Sequence, residues 1–63
     1  MNSKDLIAQQ YPKAYRAYVL QQKVNIMISV YGEADHETVN DLMTLVDSLD
    51  DIESDKFIEL HNF

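Results

Sequence analysis

The residues best able to do chemistry in this chain are the carboxylates of "VDSLDDIESDKFIEL", residues 46–60. This stretch holds six acidic residues and one lysine. A calcium loop takes oxygen ligands at its positions 1, 3, 5 and 12 and a glycine at position 6. Counted from Asp51, oxygen ligands stand at Glu53 and Asp55, but position 6 is a lysine and position 12 is an asparagine. The spacing disfavours a calcium site, and we expect no bound metal.

The two histidines, His36 and His61, give no signature of a zinc site. Helical zinc sites pair histidines four residues apart or combine them with cysteine, and this chain has no cysteine. Carboxylate pairs such as Asp50 and Asp51 do acid–base catalysis only in a cleft that perturbs their ionisation. A chain of 63 residues with one glycine has little material to build such a cleft. We therefore expect a protein that is not an enzyme and that uses no cofactor.

Length limits what the chain can form. Its 63 residues are enough for a single small domain, residues 1–63. Domains of this size bury only about 60% of the surface that the unfolded chain exposes, so their stability is marginal. Because no disulfide is available, self-association or a partner chain is the expected source of additional stability. The sequence shows neither a long apolar run nor a leader pattern, so we expect no membrane span and a cytoplasmic location.

Charge divides the chain into two unlike halves. Residues 1–32 hold four basic residues and one acidic residue, whereas residues 33–63 hold ten acidic residues and one lysine. Two antiparallel halves of opposite sign attract each other, within one hairpin or between two chains, although exposed ion pairs contribute only about 0–1 kcal/mol each. The formal net charge of −6 disfavours direct binding of nucleic acid through its phosphates.

Helices are predicted to position these residues, because apolar side chains recur every three or four positions. Asn2 or Ser3 is placed to cap a short first helix. Pro12 suits the first position of a second helix, where its missing N–H costs nothing. The apolar side of that helix is predicted to carry Tyr11, Ala14, Tyr15, Tyr18 and Val19, and the other side Lys13, Arg16 and Lys23.

Residues 23–31 are compatible with two structures. Their β-branched residues alternate with other residues, which is the period of a half-buried strand. A lone strand needs a partner, however, and no second segment alternates as well. If the helix continues instead, it is apolar almost all round and must be buried on several sides. We favour the continuous helix, and an α+β fold with residues 23–31 as a strand is the alternative.

The second half is predicted to form a further helix after a defined turn. Gly32 suits the left-handed position that follows a helix, and Asp35 suits the cap of the next helix, with Glu37 in its first turn. One side of that helix is apolar, with Val39, Leu42, Met43, Leu45, Val46 and Leu49. The opposite side is polar, with Glu37, Asp41, Thr44, Ser48 and Asp51.

A break is predicted within residues 50–53, because a continuous helix would place Glu53 on the apolar side without a partner. Ser54 is placed to cap a final short helix that returns Phe57 and Leu60 to the core, with Ile58 nearby. The predicted fold is therefore all-α, a small bundle of three to four short helices that comprises a helical hairpin and short terminal helices. We expect this bundle to be dimeric.

Two surfaces are the candidate sites for partners. Tyrosines beside basic residues can stack on single-stranded nucleic acid, but the acidic remainder of the chain favours a role for these tyrosines in the core or an interface. The predicted apolar surface, for self-association or a partner, is Tyr15, Tyr18, Val24, Met27, Ile28 and Tyr31. The predicted acidic surface, for a protein partner with a basic groove, is Glu37, Asp41, Asp47, Asp50, Asp51, Asp55 and Glu59.

Part of the chain resembles a known family. Residues 30–36, "VYGEADH", together with Met43 and "KFI" at residues 56–58, are similar to the C-terminal half of the Hha and YmoA family, small helical partners of the nucleoid protein H-NS. The resemblance covers less than half of the chain, and Gly32 stands where that family continues its helix. We assign no family from these residues.

Two classes of function follow from these patterns. The first is a small acidic regulator or inhibitor that binds a larger protein, with mimicry of nucleic-acid charge as a narrower version. In size and charge the chain is similar to small acidic helical inhibitors that phages encode. The second is a structural homodimer of helical hairpins, a four-helix bundle that acts as an assembly or regulatory adaptor. Acidic helices also occur simply because net charge preserves solubility.

Overall fold

The computed structural model describes residues 3–63, and these residues form four α-helices without a β-strand. The helices are α1 (Ser3–Gln10), α2 (Pro12–Tyr31), α3 (His36–Asp47) and α4 (Asp51–Leu60). The predicted all-α class is confirmed. The alternative of a strand at residues 23–31 is wrong, because these residues complete their backbone hydrogen bonds within α2 and need no partner strand. Asn2 lies outside the described residues, and Ser3 is already the first residue of α1.

Helix α2 is the central element of the bundle. Its 20 residues span about 30 Å, and α1, α3 and α4 all pack against it. Pro12 lies in its first turn, as predicted. Gly32 ends it in the left-handed conformation with a φ of 79°, and the Gly32 N–H donates to the carbonyl of Ile28 at 2.9 Å. The turn to α3 therefore begins as the sequence predicts.

The core follows one narrow side of α2. Ala14 and Ala17 are fully buried and Val24 is 7% exposed. Alanines at these positions let neighbouring helices approach α2 closely. From the other helices, the buried apolar residues are Ile7, Leu42 and Leu60. Helices α3 and α4 pack mainly on α2 rather than on each other, so each buries a single stripe.

Three residues that the sequence placed on or near apolar sides lie at the surface instead. Val19, Met43 and Ile58 are 47%, 61% and 60% exposed. The bundle measures 33 × 24 × 15 Å between Cα atoms. Packed helix axes are separated by about 8–10 Å. The shortest dimension, 15 Å, therefore leaves room for only two layers of helices. The outer sides of the helices therefore stay uncovered even where they are apolar.

A break between α3 and α4 is present, but it lies at residues 48–50 rather than 50–53, and its cap also differs from the prediction. Asp50, not Ser54, caps α4. Its Oδ1 accepts a hydrogen bond from the Glu53 N–H at 2.8 Å, and the Asp50 N–H donates to Oε1 of Glu53 at 3.0 Å. This reciprocal capping box satisfies two N–H groups at the start of the helix. Ser54 consequently lies inside α4, and Glu53, which a continuous helix would have buried, has a structural partner.

The apolar residues of the bundle do not make a membrane segment. Within residues 3–63, no helix combines the length and the hydropathy that crossing a bilayer requires.

Candidate functional site

All seven acidic residues predicted to bind a partner are exposed. The structure divides them between two places. Glu37 and Asp41 lie in the first half of α3, and the other five run from Asp47, the last residue of α3, through the turn and along α4. Asp41 lines a groove between α2 and α3 together with Arg16 and Leu20. The α3 group therefore lies close to a basic residue, and the acidic residues do not form one continuous surface.

Two of the five remaining acidic residues are engaged within α4 itself. Asp50 caps the helix, as described above. Glu59 forms an ion pair with Lys56 at 3.2 Å. Asp47, Asp51 and Asp55 are exposed, and no ion pair involves them within the part of the chain that the structure describes. Asp51 and Asp55 on α4 are thus the carboxylates most available to a partner.

The outward-facing surface of α4 combines these carboxylates with apolar side chains. Each helical residue advances about 100° around the axis, so Asp51, Asp55 and Glu59 form one stripe. Ile58 lies at one edge of this stripe and Ile52 at the other, and the five side chains together span an arc of about 120°. Ile52 and Ile58 are 59% and 60% exposed. We call these five residues the α4 face. Phe57 and Leu60 lie on the opposite side of the helix, toward the core.

No family model, curated protein or solved structure matches the chain.

The predicted attraction between the two halves of the chain takes a different form in the structure. Lys13 on α2 reaches the acidic turn after α3, where its Nζ donates to the carbonyl of Ser48 at 3.2 Å rather than to a carboxylate. A cation suits this position because carbonyls at the end of a helix carry partial negative charge. Lys4 likewise donates to a neutral group, the hydroxyl of Tyr18, at 2.8 Å. The basic half helps to hold the fold, and it leaves the α4 carboxylates uncompensated.

The six residues of the predicted apolar surface occupy different environments. Val24 lies in the core, and Tyr15, Tyr18 and Met27 are half-buried. Ile28 and Tyr31 are 51% and 77% exposed. Ile28 follows Val24 by one turn on the same side of α2. The neighbouring helices therefore stop covering this side before α2 ends. Only the last turn of the predicted surface is open to a partner.

Tyr18 belongs to an aromatic cluster that joins α2 to the end of α4. Its ring lies edge-on to His61 with centroids 5.0 Å apart, and it is 6.2 Å from the ring of Tyr15. His61 also packs edge-on against Phe57 at 4.7 Å. Because the Phe57 carbonyl can only accept, the 2.8 Å contact places a proton on Nδ1 of His61. The packing favours a structural role for this cluster over base stacking.

Sequence reasoning missed part of the exposed apolar surface. Ile26 and Val30 are 61% and 65% exposed on the side of α2 opposite the core, together with Val19. A signal for them was present: residues 19, 23, 26 and 30 recur at alternating spacings of four and three, the pattern of a helix seam. Val19 and Lys23 were predicted to lie on opposite sides of the helix, so these residues were not identified as one row.

No group of three or more histidine, cysteine or acidic side chains able to hold a metal ion occurs among residues 3–63. A shallow groove at the junction of α2 and α3 is lined by Met27, Tyr31 and His36, among others. The features described above are surfaces suited to contact with a partner.

Proposed function

We propose that this chain is a non-enzymatic protein-binding regulator, and that the α4 face contacts a basic surface on a larger protein. The proposal rests on one observation: on α4, a stripe of carboxylates lies between two isoleucines that are 59% and 60% exposed. Single exposed apolar residues are ordinary on protein surfaces. Two of them bordering one charged stripe match the composition of interfaces, in which apolar contact supplies affinity and charge supplies orientation.

The partner surface that fits the α4 face has definite chemistry. Lysine or arginine side chains would pair with Asp51 and Asp55, and apolar side chains beside them would cover Ile52 and Ile58. The net charge of −6 would accelerate encounter with such a surface at low ionic strength. Because charge steers this encounter, the association rate should fall as salt is added, with the dissociation rate less affected.

Mimicry of nucleic-acid charge is the narrower form of this proposal. Successive carboxylates of the α4 stripe are separated by about 6 Å along the helix, given a rise of about 1.5 Å per residue. Duplex DNA carries one charge per about 1.7 Å of its axis. The α4 face alone is therefore more dilute in charge than DNA, and its isoleucines correspond to nothing in a phosphate backbone. A mimic would need the α3 carboxylates as well.

The second candidate function is a structural homodimer that acts as an assembly or regulatory adaptor. It is favoured by the exposed apolar residues of α2, which belong to another helix and share no residue with the α4 face. The two functions are compatible, because a dimer formed through α2 can still present α4.

The experiment for the first candidate is affinity capture from the native host with the intact chain and three double variants. Asp51→Asn with Asp55→Asn removes two charges from the α4 face, and Ile52→Ser with Ile58→Ser removes its apolar border. Glu37→Gln with Asp41→Asn removes the same number of charges from α3 and is the control. We expect either α4 pair to weaken a captured partner by about tenfold or more, as for residues central to an interface, and the α3 pair to change little.

Capture by the two α4 variants at the level of the wild-type chain would contradict the proposal. Heparin or duplex DNA added as a competitor then distinguishes general binding of a basic protein surface from mimicry of nucleic-acid charge. Release of the partner by polyanion, together with weakening by the α3 pair, supports mimicry. Retention in polyanion supports a protein interface that depends on the isoleucines.

A further inference from the structure

The outer side of α2 carries a row of exposed side chains with the spacing of a helix–helix seam. Val19, Lys23, Ile26 and Val30, which we call the outer row, follow one another at intervals of four, three and four residues. Alternation of three and four keeps side chains on one line where two helices pack together. The row lies about 160° around α2 from the buried side centred on Ala17. No other helix of the described chain covers it, because all four residues are exposed.

We propose that the outer row is the contact surface of an antiparallel homodimer, in which α2 of one copy packs on α2 of a second copy. Charge identifies the second copy as the occupant. Helix α2 contains three basic residues and no acidic residue, and the acidic Glu33 and Asp35 follow its last turn, so one copy supplies both of the charges that a second copy can pair with.

The distribution of charge along α2 also sets the direction of the pairing. Lys13 and Arg16 lie near its first turn, whereas Glu33 and Asp35 follow directly after its last turn. In an antiparallel pair, the basic end of each helix lies beside the acidic end of the other. A parallel pair would place like charges together.

One register satisfies both the apolar row and the charges. With Val19 opposite Val30 of the second copy, Lys23 lies opposite Ile26 of the second copy. Arg16 then lies opposite the end of the second copy's α2, near the turn that contains Glu33 of the second copy. The stem of Lys23 can cover apolar surface while its amino group remains in water. Lys23 thus fits within the seam in this register without losing its hydration.

The size of the row predicts a weak and reversible dimer. Stable interfaces bury roughly 800 Å² on each partner, a large share of a chain whose whole accessible surface is 4540 Å². Three apolar side chains and one lysine stem on a single helix supply less than this. We therefore expect a dissociation constant on the order of micromolar or higher.

The test is sedimentation equilibrium of the full chain over roughly 5–500 µM, a range that brackets such a constant. The wild-type mass should rise from 7.3 kDa toward twice that value. Ile26→Lys should weaken dimerisation by about tenfold or more. Met43→Lys is the matched control, because Met43 and Ile26 are both 61% exposed; it should dimerise like the wild type. Both positions are open to solvent, and circular dichroism checks that each variant stays folded.

Cysteine cross-linking tests the direction, since the chain has no cysteine of its own. A mixture of Val19→Cys and Val30→Cys chains should form a mixed disulfide. Val19→Cys alone should not, because two copies of position 19 would lie about 16 Å apart along the axis, beyond the reach of a disulfide. Efficient cross-linking of Val19→Cys with itself would overturn the antiparallel register.

Two further outcomes would overturn the proposed dimer. One is a wild-type chain that remains monomeric throughout the concentration range. In that case, cosedimentation with vesicles of phosphatidylcholine and phosphatidylglycerol that Ile26→Lys abolishes would assign the row to a membrane surface. The other is an Ile26→Lys chain that dimerises like the wild type, which would place the contact on another face. Neither outcome affects the α4 proposal, which different residues test.

Discussion

Replacement of Asp50 should separate its role in the fold from any role in binding. Asp50 is exposed and acidic, as a contact residue would be, yet it also caps α4 through the Glu53 N–H at 2.8 Å. In Asp50→Ala the side-chain acceptor is lost, while the reciprocal bond from the Asp50 N–H to Glu53 remains available. Loss of an N-cap acceptor costs about 0.5–2 kcal/mol. In a domain of this length, 1 kcal/mol lowers the melting temperature by roughly 4–8 °C.

A second variant, Asp50→Asn, divides this cost between hydrogen bonding and charge. Asp50→Asn keeps an oxygen acceptor at the cap and removes only the charge, which contributes about 0.3–1 kcal/mol at the positive end of the helix dipole. Asp51 remains in the first turn of α4 and keeps part of that electrostatic effect. The expected order of stability is therefore wild type, then Asp50→Asn, then Asp50→Ala.

Thermal unfolding followed by circular dichroism at 222 nm measures this order, with urea unfolding as a second determination of the free energy. Glu53→Ala, alone and combined with Asp50→Ala, completes a double-mutant cycle for the capping box. Equal destabilisation by Asp50→Asn and Asp50→Ala would refute the capping argument, because charge alone would then account for the effect. An Asp50→Ala chain as stable as the wild type would refute any structural role for the residue.

Two other substitutions test the helix ends that carry the bundle. Gly32→Ala should cost about 1–2 kcal/mol, because φ is 79° there and the left-handed conformation is strained for a residue with a Cβ. The cost is conformational rather than steric, since no atom lies within 4 Å of the added Cβ. Asparagine tolerates this conformation better, so urea unfolding should show a smaller loss of stability for Gly32→Asn. Leu60→Ala should cost about 2–5 kcal/mol because Leu60 is fully buried, and its circular dichroism should show a largely unfolded chain where Ile58→Ala remains folded.

The local signals of helix ends were readable from the sequence. Pro12 begins α2 and Gly32 ends it as expected, since each acts through its own backbone geometry. The capping box at Asp50 was equally local, an acidic residue followed by glutamate three positions later. With the break predicted at residues 50–53, Asp50 fell at the start of the break, and Ser54 was the first capping residue after it.

The distribution of exposure along α2 could not be predicted in the same way. Residues 23–31 are apolar on every side, and the sequence alone does not tell which side a neighbour covers. In the structure, the neighbouring helices no longer cover this side of α2 one turn after Val24, where Ile28 is already 51% exposed. That outcome depends on where the other three helices pack along α2, and most of these contacts join residues distant in sequence. For the same reason Val24 was placed at an interface when it belongs to the core.

Dimerisation through the outer row would affect how the α4 face binds a partner. The α4 face and the outer row lie on different helices and share no residue, so one can be occupied while the other is free. A dimer formed through α2 would present two α4 faces related by a two-fold axis. A partner with two basic sites at the matching distance would then bind the second face at a high effective concentration, and its overall affinity would exceed that of either contact. A weak dimer is sufficient for this effect, because a bivalent partner would itself stabilise the paired form.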